Sequence, residues 1–132
     1  MKMKMKIVTY WKPFIIALVI LYGSITSSSN LNKFDLIHLE HLDKLVHFIL
    51  YFGLGLTFFT SIKKNIFISK RDITFLTLVL VISYGVIMEV LQFYFTIDRS
   101  ADIMDVLANS LGCISGIIIY PLLHKIKLTR YL

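Results

Sequence analysis

Asp43, His47 and Tyr51 lie at i, i+4 and i+8, so on a helix they form one stripe carrying a carboxylate, an imidazole and a phenol. Glu89 and Gln92 are three residues apart, and Asp102, Asp105 and Asn109 follow at i, i+3 and i+7. Lys44 and Arg99 are the cations beside them. Three kinds of chemistry are open to this set. Glu89 or Asp105 could serve as a base, with His47, a side-chain type that changes charge near neutral pH, as an acid or orienting group. Lys44 and Arg99 could grip a phosphate or carboxylate between two helix amino termini. The carboxylates and His47, with His38 and His41 nearby in sequence, could take a divalent cation, but their spacing matches no metal-ligand motif, so no metal or other cofactor is assigned.

Each residue also has a plain structural reading. Asp43 and Asp102 could cap helices and complement their dipoles, and His47 and Tyr51 could belong to an interfacial aromatic belt. Glu89 could simply hydrogen-bond to His47, Lys44 or Arg99. There is no Gly-x-Ser-x-Gly elbow, no cysteine beside a histidine, no phosphate-binding glycine loop and no His-Glu-x-x-His, so catalysis would rest on Glu89, His47 and Asp105 alone.

The elements that must position these groups are apolar. Of 132 residues 57% are hydrophobic, more than a water-facing surface tolerates. Four apolar runs, 10–26, 45–62, 73–95 and 103–123, are each long enough or nearly so to cross about 30 Å of hydrocarbon at about 1.5 Å per residue. The expectation is an all-α integral membrane bundle of four transmembrane helices, a single domain over residues 1–132. A cleaved signal peptide is the other reading of 10–26, but Pro13, two aromatics at the start and the lack of a small-x-small cleavage site favour a retained span.

Lys2, Lys4, Lys6 and Lys12 precede the first run, Lys63, Lys64, Lys70 and Arg71 join the second to the third, and Lys125, Lys127 and Arg130 follow the fourth. The other two connections hold only Lys33, Lys44 and Arg99. The positive-inside rule then places both termini in the cytoplasm and the polar cluster at the outer face. The net charge of +6 reflects this orientation, not nucleic-acid binding. At the outer face Asp43, Glu89, Asp98, Asp102 and Asp105 outnumber Lys44 and Arg99, an excess of acid that would hold a proton or recruit a cation. Residues 30–42 have roughly helical apolar spacing and could form a short amphipathic helix in the first outer loop. Ala108, Gly112 and Gly116 make a small-residue ridge on the fourth helix, suited to close packing within the bundle or in a homo-oligomer. Cys113 falls among them, and a lone cysteine allows no intrachain disulfide.

Together, Asp43-Lys44-Leu45-Val46-His47-Phe48 with Tyr51, Glu89-Val90-Leu91-Gln92-Phe93, and Arg99 with Asp105-Val106-Leu107-Ala108-Asn109, Gly112 and Gly116 resemble the VanZ-like membrane proteins, from Asp43 to about Tyr120. The resemblance implies a small multi-pass protein of the bacterial cytoplasmic membrane whose family namesake gives low-level resistance to the lipoglycopeptide teicoplanin. It brings no catalytic mechanism. The leading expectation is a binding protein whose outward pocket, lined by Asp43, Lys44, His47, Tyr51, Glu89, Gln92, Arg99, Asp102, Asp105 and Asn109, takes a lipid-linked cell-wall precursor, a lipid head group or a lipoglycopeptide. A membrane-edge hydrolase or transferase acting on such a head group and a purely structural helical module are the alternatives.

Overall fold

The computed structural model describes residues 7–26, 40–65, 68–96 and 102–132. After a single 3₁₀ turn at Ile7–Tyr10 come α1 (Trp11–Ile25), α2 (Glu40–Asn65), α3 (Lys70–Phe95) and α4 (Ile103–Lys125), then a short 3₁₀ turn at Leu128–Arg130. Four helical segments are long and apolar enough to cross a membrane, and the described residues contain no strand. The loop expected to form an amphipathic helix lies outside the described residues up to Glu40, where α2 begins.

Local chemistry sets the boundaries. Pro13 sits in the first turn of α1, where its missing N–H has no intrahelical partner to lose. Ser69 caps α3: its Oγ accepts from the Asp72 backbone N–H at 3.1 Å and donates to Asp72 Oδ2 at 2.6 Å, a reciprocal arrangement like a capping box. Asp102 caps α4 by accepting from the Met104 N–H at 2.8 Å. Beyond α4, Lys127 adopts a left-handed conformation with φ 59°. That turn folds Thr129 back into a buried position, where its carbonyl accepts from Lys64 Nζ at 3.1 Å.

Helix α2 is central and packs most extensively on α4. The two run parallel: Lys44 meets Asp105, Phe48 and Phe52 flank Gly112, Gly55 faces Cys113, and Lys64 reaches Thr129. Helices α1 and α3 run the other way, with Thr9 against Ser61, Ile16 against Gly53 and Tyr84 against Tyr51. The starts of α2 and α4 therefore share one end of the bundle with the end of α3.

The ridge on α4 explains how closely two of these helices approach. A Cβ on Gly112 would collide with the Phe48 carbonyl oxygen and one on Gly116 with that of Phe52, while a Cβ on Gly55 would lie 2.9 Å from the Cys113 backbone. Close backbone approach of this kind is how helices associate where lipid supplies no hydrophobic drive. Large apolar side chains such as Phe75 and Ile118 remain exposed along the outside, as expected of lipid-facing surfaces.

Hydroxyls in the bundle are satisfied locally. Thr57, Thr60, Ser61, Thr77, Thr96 and Ser110 each donate to the carbonyl four residues earlier at 2.6–2.8 Å, which lets polar residues sit in an apolar helix without water.

Candidate functional site

The shared end of α2, α3 and α4 brings together nine of the ten predicted pocket residues. Arg99 lies outside the described residues. Depth follows helical rise: Asp43, His47 and Tyr51 descend α2 by one turn each, about 12 Å in all. Asp102, Asp105 and Asn109 descend α4 in parallel, and Gln92 and Glu89 descend α3 toward the same level.

At the top, Lys44 Nζ bonds to Asp102 Oδ2 at 2.9 Å and lies 3.5 Å from Asp105 Oδ1. The first is a charge-assisted hydrogen bond; the second is an ion pair that leaves Asp105 Oδ1 without a hydrogen bond. The Met104 backbone N–H and then Lys44 hold the Asp102 carboxyl below its ordinary pKa. Lys44 is thus already committed to internal acids.

One turn lower, His47 Nδ1 lies 3.0 Å from Asn109 Oδ1. The amide oxygen can only accept, so in this arrangement the hydrogen of the contact lies on Nδ1. His47 Nε2 faces Asp43 Oδ1 at 3.9 Å, too far for a hydrogen bond, and Glu89 Oε1 lies 3.9 Å from Nδ1 on another side of the ring. Glu89 is 3% exposed and neither of its oxygens completes a hydrogen bond, although the Asp102 backbone N–H faces it.

At the bottom is Tyr51, 1% exposed, with its hydroxyl unbonded and its ring 6.5 Å from that of Tyr84. This inward position excludes an interfacial belt role for Tyr51. Tyr84 itself ties α3 to α1 by donating to the Ala17 carbonyl at 2.6 Å. Gly85 makes the room: a Cβ there would stand 3.2 Å from Tyr51 Cε1 and 3.3 Å from Asn109 Nδ2. The sequence reading did not single out Gly85. Its signal is an isolated glycine one turn below Glu89 within an apolar helix.

Six buried polar atoms have no hydrogen-bond partner among the described residues: Tyr51 Oη, both Glu89 oxygens, Gln92 Oε1, Asp105 Oδ1 and Asn109 Nδ2. All lie at this end of the bundle, whereas the buried hydroxyls of Thr57, Thr60, Ser61 and Thr77 are paired with backbone carbonyls. Ala108, Gly112, Gly116 and Cys113 lie at or beside the helix contact; Gly112, Gly116 and Cys113 are buried, and Ala108 is half-buried.

No curated protein and no solved structure matches the chain. The family model described as VanZ/LLP1 matches residues 3–124, nearly the whole chain and all of the helices that build this cluster. The chain belongs to the VanZ/LLP1 family.

Proposed function

We propose that this protein is a head-group-binding protein of the bacterial cytoplasmic membrane, with the polar end of the bundle facing outward and receiving the polar part of a lipid or lipid-linked envelope molecule. The observation that carries this reading is that the six unpartnered buried polar atoms found among the described residues all lie at one end. A buried polar group without a partner costs about 1–3 kcal/mol, and a ligand that supplies the missing bonds accounts for retaining several together. The lysine and arginine distribution supports the outward direction.

The unpartnered atoms also indicate the ligand's chemistry. Glu89, Gln92 and Asp105 offer four acceptor atoms, while Tyr51 and Asn109 supply the donors. The complement is a head group rich in donors, an amine, an amide or sugar hydroxyls, more than a bare phosphate. Lipid-linked cell-wall precursors and aminophospholipids have that character. A lipoglycopeptide does too, which would connect the pocket to teicoplanin-type resistance. With Lys44 held by Asp102 and Asp105, an anion-first pocket would depend on Arg99.

The test is native mass spectrometry of the purified chain in mild detergent with phosphatidylethanolamine or phosphatidylglycerol added at equal concentration. Retention of the amine lipid, weakened by Glu89→Gln, is the expected result. Equal or stronger retention of phosphatidylglycerol would overturn the donor-rich reading. Unchanged retention in Glu89→Gln would remove this pocket from the binding.

A further inference from the structure

Lys44 is an ammonium built into the mouth of the polar cluster. Its Nζ lies 2.9 Å from Asp102 Oδ2 and 3.5 Å from Asp105 Oδ1. The two contacts differ in kind. The bond to Asp102 joins side chains that are 34% and 38% exposed, whereas the Asp105 side chain is 5% exposed and its Oδ1 completes no hydrogen bond. Lys44 therefore reaches the buried acid without satisfying it. A lysine is a compact ammonium on a flexible four-carbon stem, and an ion pair this open to solvent holds it only weakly.

A second observation points to a ligand with more donors than Lys44 supplies. Glu89 is 3% exposed with both oxygens unbonded, faced by the Asp102 backbone N–H and within electrostatic reach of Asp105. Gln92, one turn along α3, is 2% exposed and leaves Oε1 unbonded. Buried acceptors from α3 and α4 thus remain open while the hydrogen bond of Lys44 goes to Asp102. An ammonium that is not tethered to α2 can turn its three donors toward several of them at once.

We propose that Lys44 is a displaceable internal counter-ion: a primary ammonium on the ligand takes its place at Asp105, and the lysine moves aside. The exchange makes Lys44 a selectivity gate. A neutral head group brings Asp105 no charge and a quaternary ammonium brings it no donor, so neither replaces the lysine. The inference rests on the head-group reading and narrows its donor-rich ligand to a primary amine.

The test compares retention of phosphatidylethanolamine and phosphatidylcholine by the full chain in mild detergent, using native mass spectrometry. The two lipids share a phosphate and differ at the ammonium. The wild type should favour phosphatidylethanolamine, and Lys44→Met, which removes the competing charge and keeps an apolar stem, should raise that preference about fivefold, the scale on which a solvent-exposed pair competes. In an Asp105→Asn background the same substitution should give no gain. A preference unchanged or lowered in Lys44→Met, or a gain that survives in Asp105→Asn, would overturn the exchange. Should a variant fail to fold, wild type labelled with ¹³C at lysine Cε decides. The Lys44 resonance, identified by its absence from Lys44→Arg, should move with phosphatidylethanolamine and not with phosphatidylcholine; a resonance that both lipids move alike, or neither moves, refutes the proposal. The head-group reading fails separately: phosphatidylethanolamine retention indifferent to Glu89→Gln removes the pocket, whereas retention that needs Glu89 and ignores Lys44 removes only the exchange.

Discussion

Replacing Glu89 with leucine should make the protein more stable and functionally inert. In the folded protein the Glu89 carboxyl is 3% exposed and completes no hydrogen bond; its nearest ring nitrogen, His47 Nδ1 at 3.9 Å, is already engaged by Asn109 at 3.0 Å. Burying a polar group without a partner costs about 1–3 kcal/mol, and leucine removes both oxygens while keeping most of the volume. The expected gain is therefore on the order of 1–3 kcal/mol, visible as a rise of several degrees in the thermal midpoint of the ligand-free protein in detergent. Asn109→Leu should do the opposite, because it strands His47 Nδ1. Phosphatidylethanolamine retention should be lost in both. This pairing of a stability gain with a loss of binding is the mark of a group held for its ligand rather than for the fold. A lower midpoint in Glu89→Leu would refute the reasoning, since it would mean that the carboxyl has an internal partner worth more than its burial costs.

Gly112→Ala should destabilise the bundle by about 1–3 kcal/mol through overpacking, because its Cβ would collide with the Phe48 carbonyl, whereas Gly23→Ala meets nothing within 4 Å and should be neutral or stabilising by about 0.5–1 kcal/mol; thermal melts of the two variants check this. Cysteines introduced at Ser28 and Ser100 should react with an impermeant thiol reagent in intact cells and one at exposed Lys70 should not, with the reverse pattern overturning the orientation. Asp102 has a depressed pKa in the folded state, so its contribution is complete above the ordinary carboxylate pKa and is lost as pH falls through the lower folded value. Melts of wild type and Asp102→Ala should therefore differ at pH 7 and converge in strong acid.

The helices were legible because an apolar run of membrane length has few alternatives, and the polar stripes were legible because helical geometry dictates which residues share a face. Helix pairing was not. A small-residue ridge at Gly112 and Gly116 announces close contact without naming the partner, and the partner is the Phe48–Leu56 stretch of α2, opposite which Gly55 meets Cys113. That parallel pairing decides the character of the pocket. It sets the starts of α2 and α4 side by side, so Lys44, which in sequence is a cation free to meet an anion, is drawn between Asp102 and Asp105. His47 Nδ1 and Asn109 Oδ1 are likewise taken up in one bond, which leaves Asn109 Nδ2 unpartnered. Composition supplies the inventory of donors and acceptors, but a ligand meets only what remains after the protein has paired its own groups. Here the remainder is an excess of acceptors beneath Lys44. A sequence that reads as equally suited to anion or cation thus folds so that, among the described residues of this end, unpartnered acceptors outnumber donors, and Gly85 leaves the room that Tyr51 and Asn109 occupy.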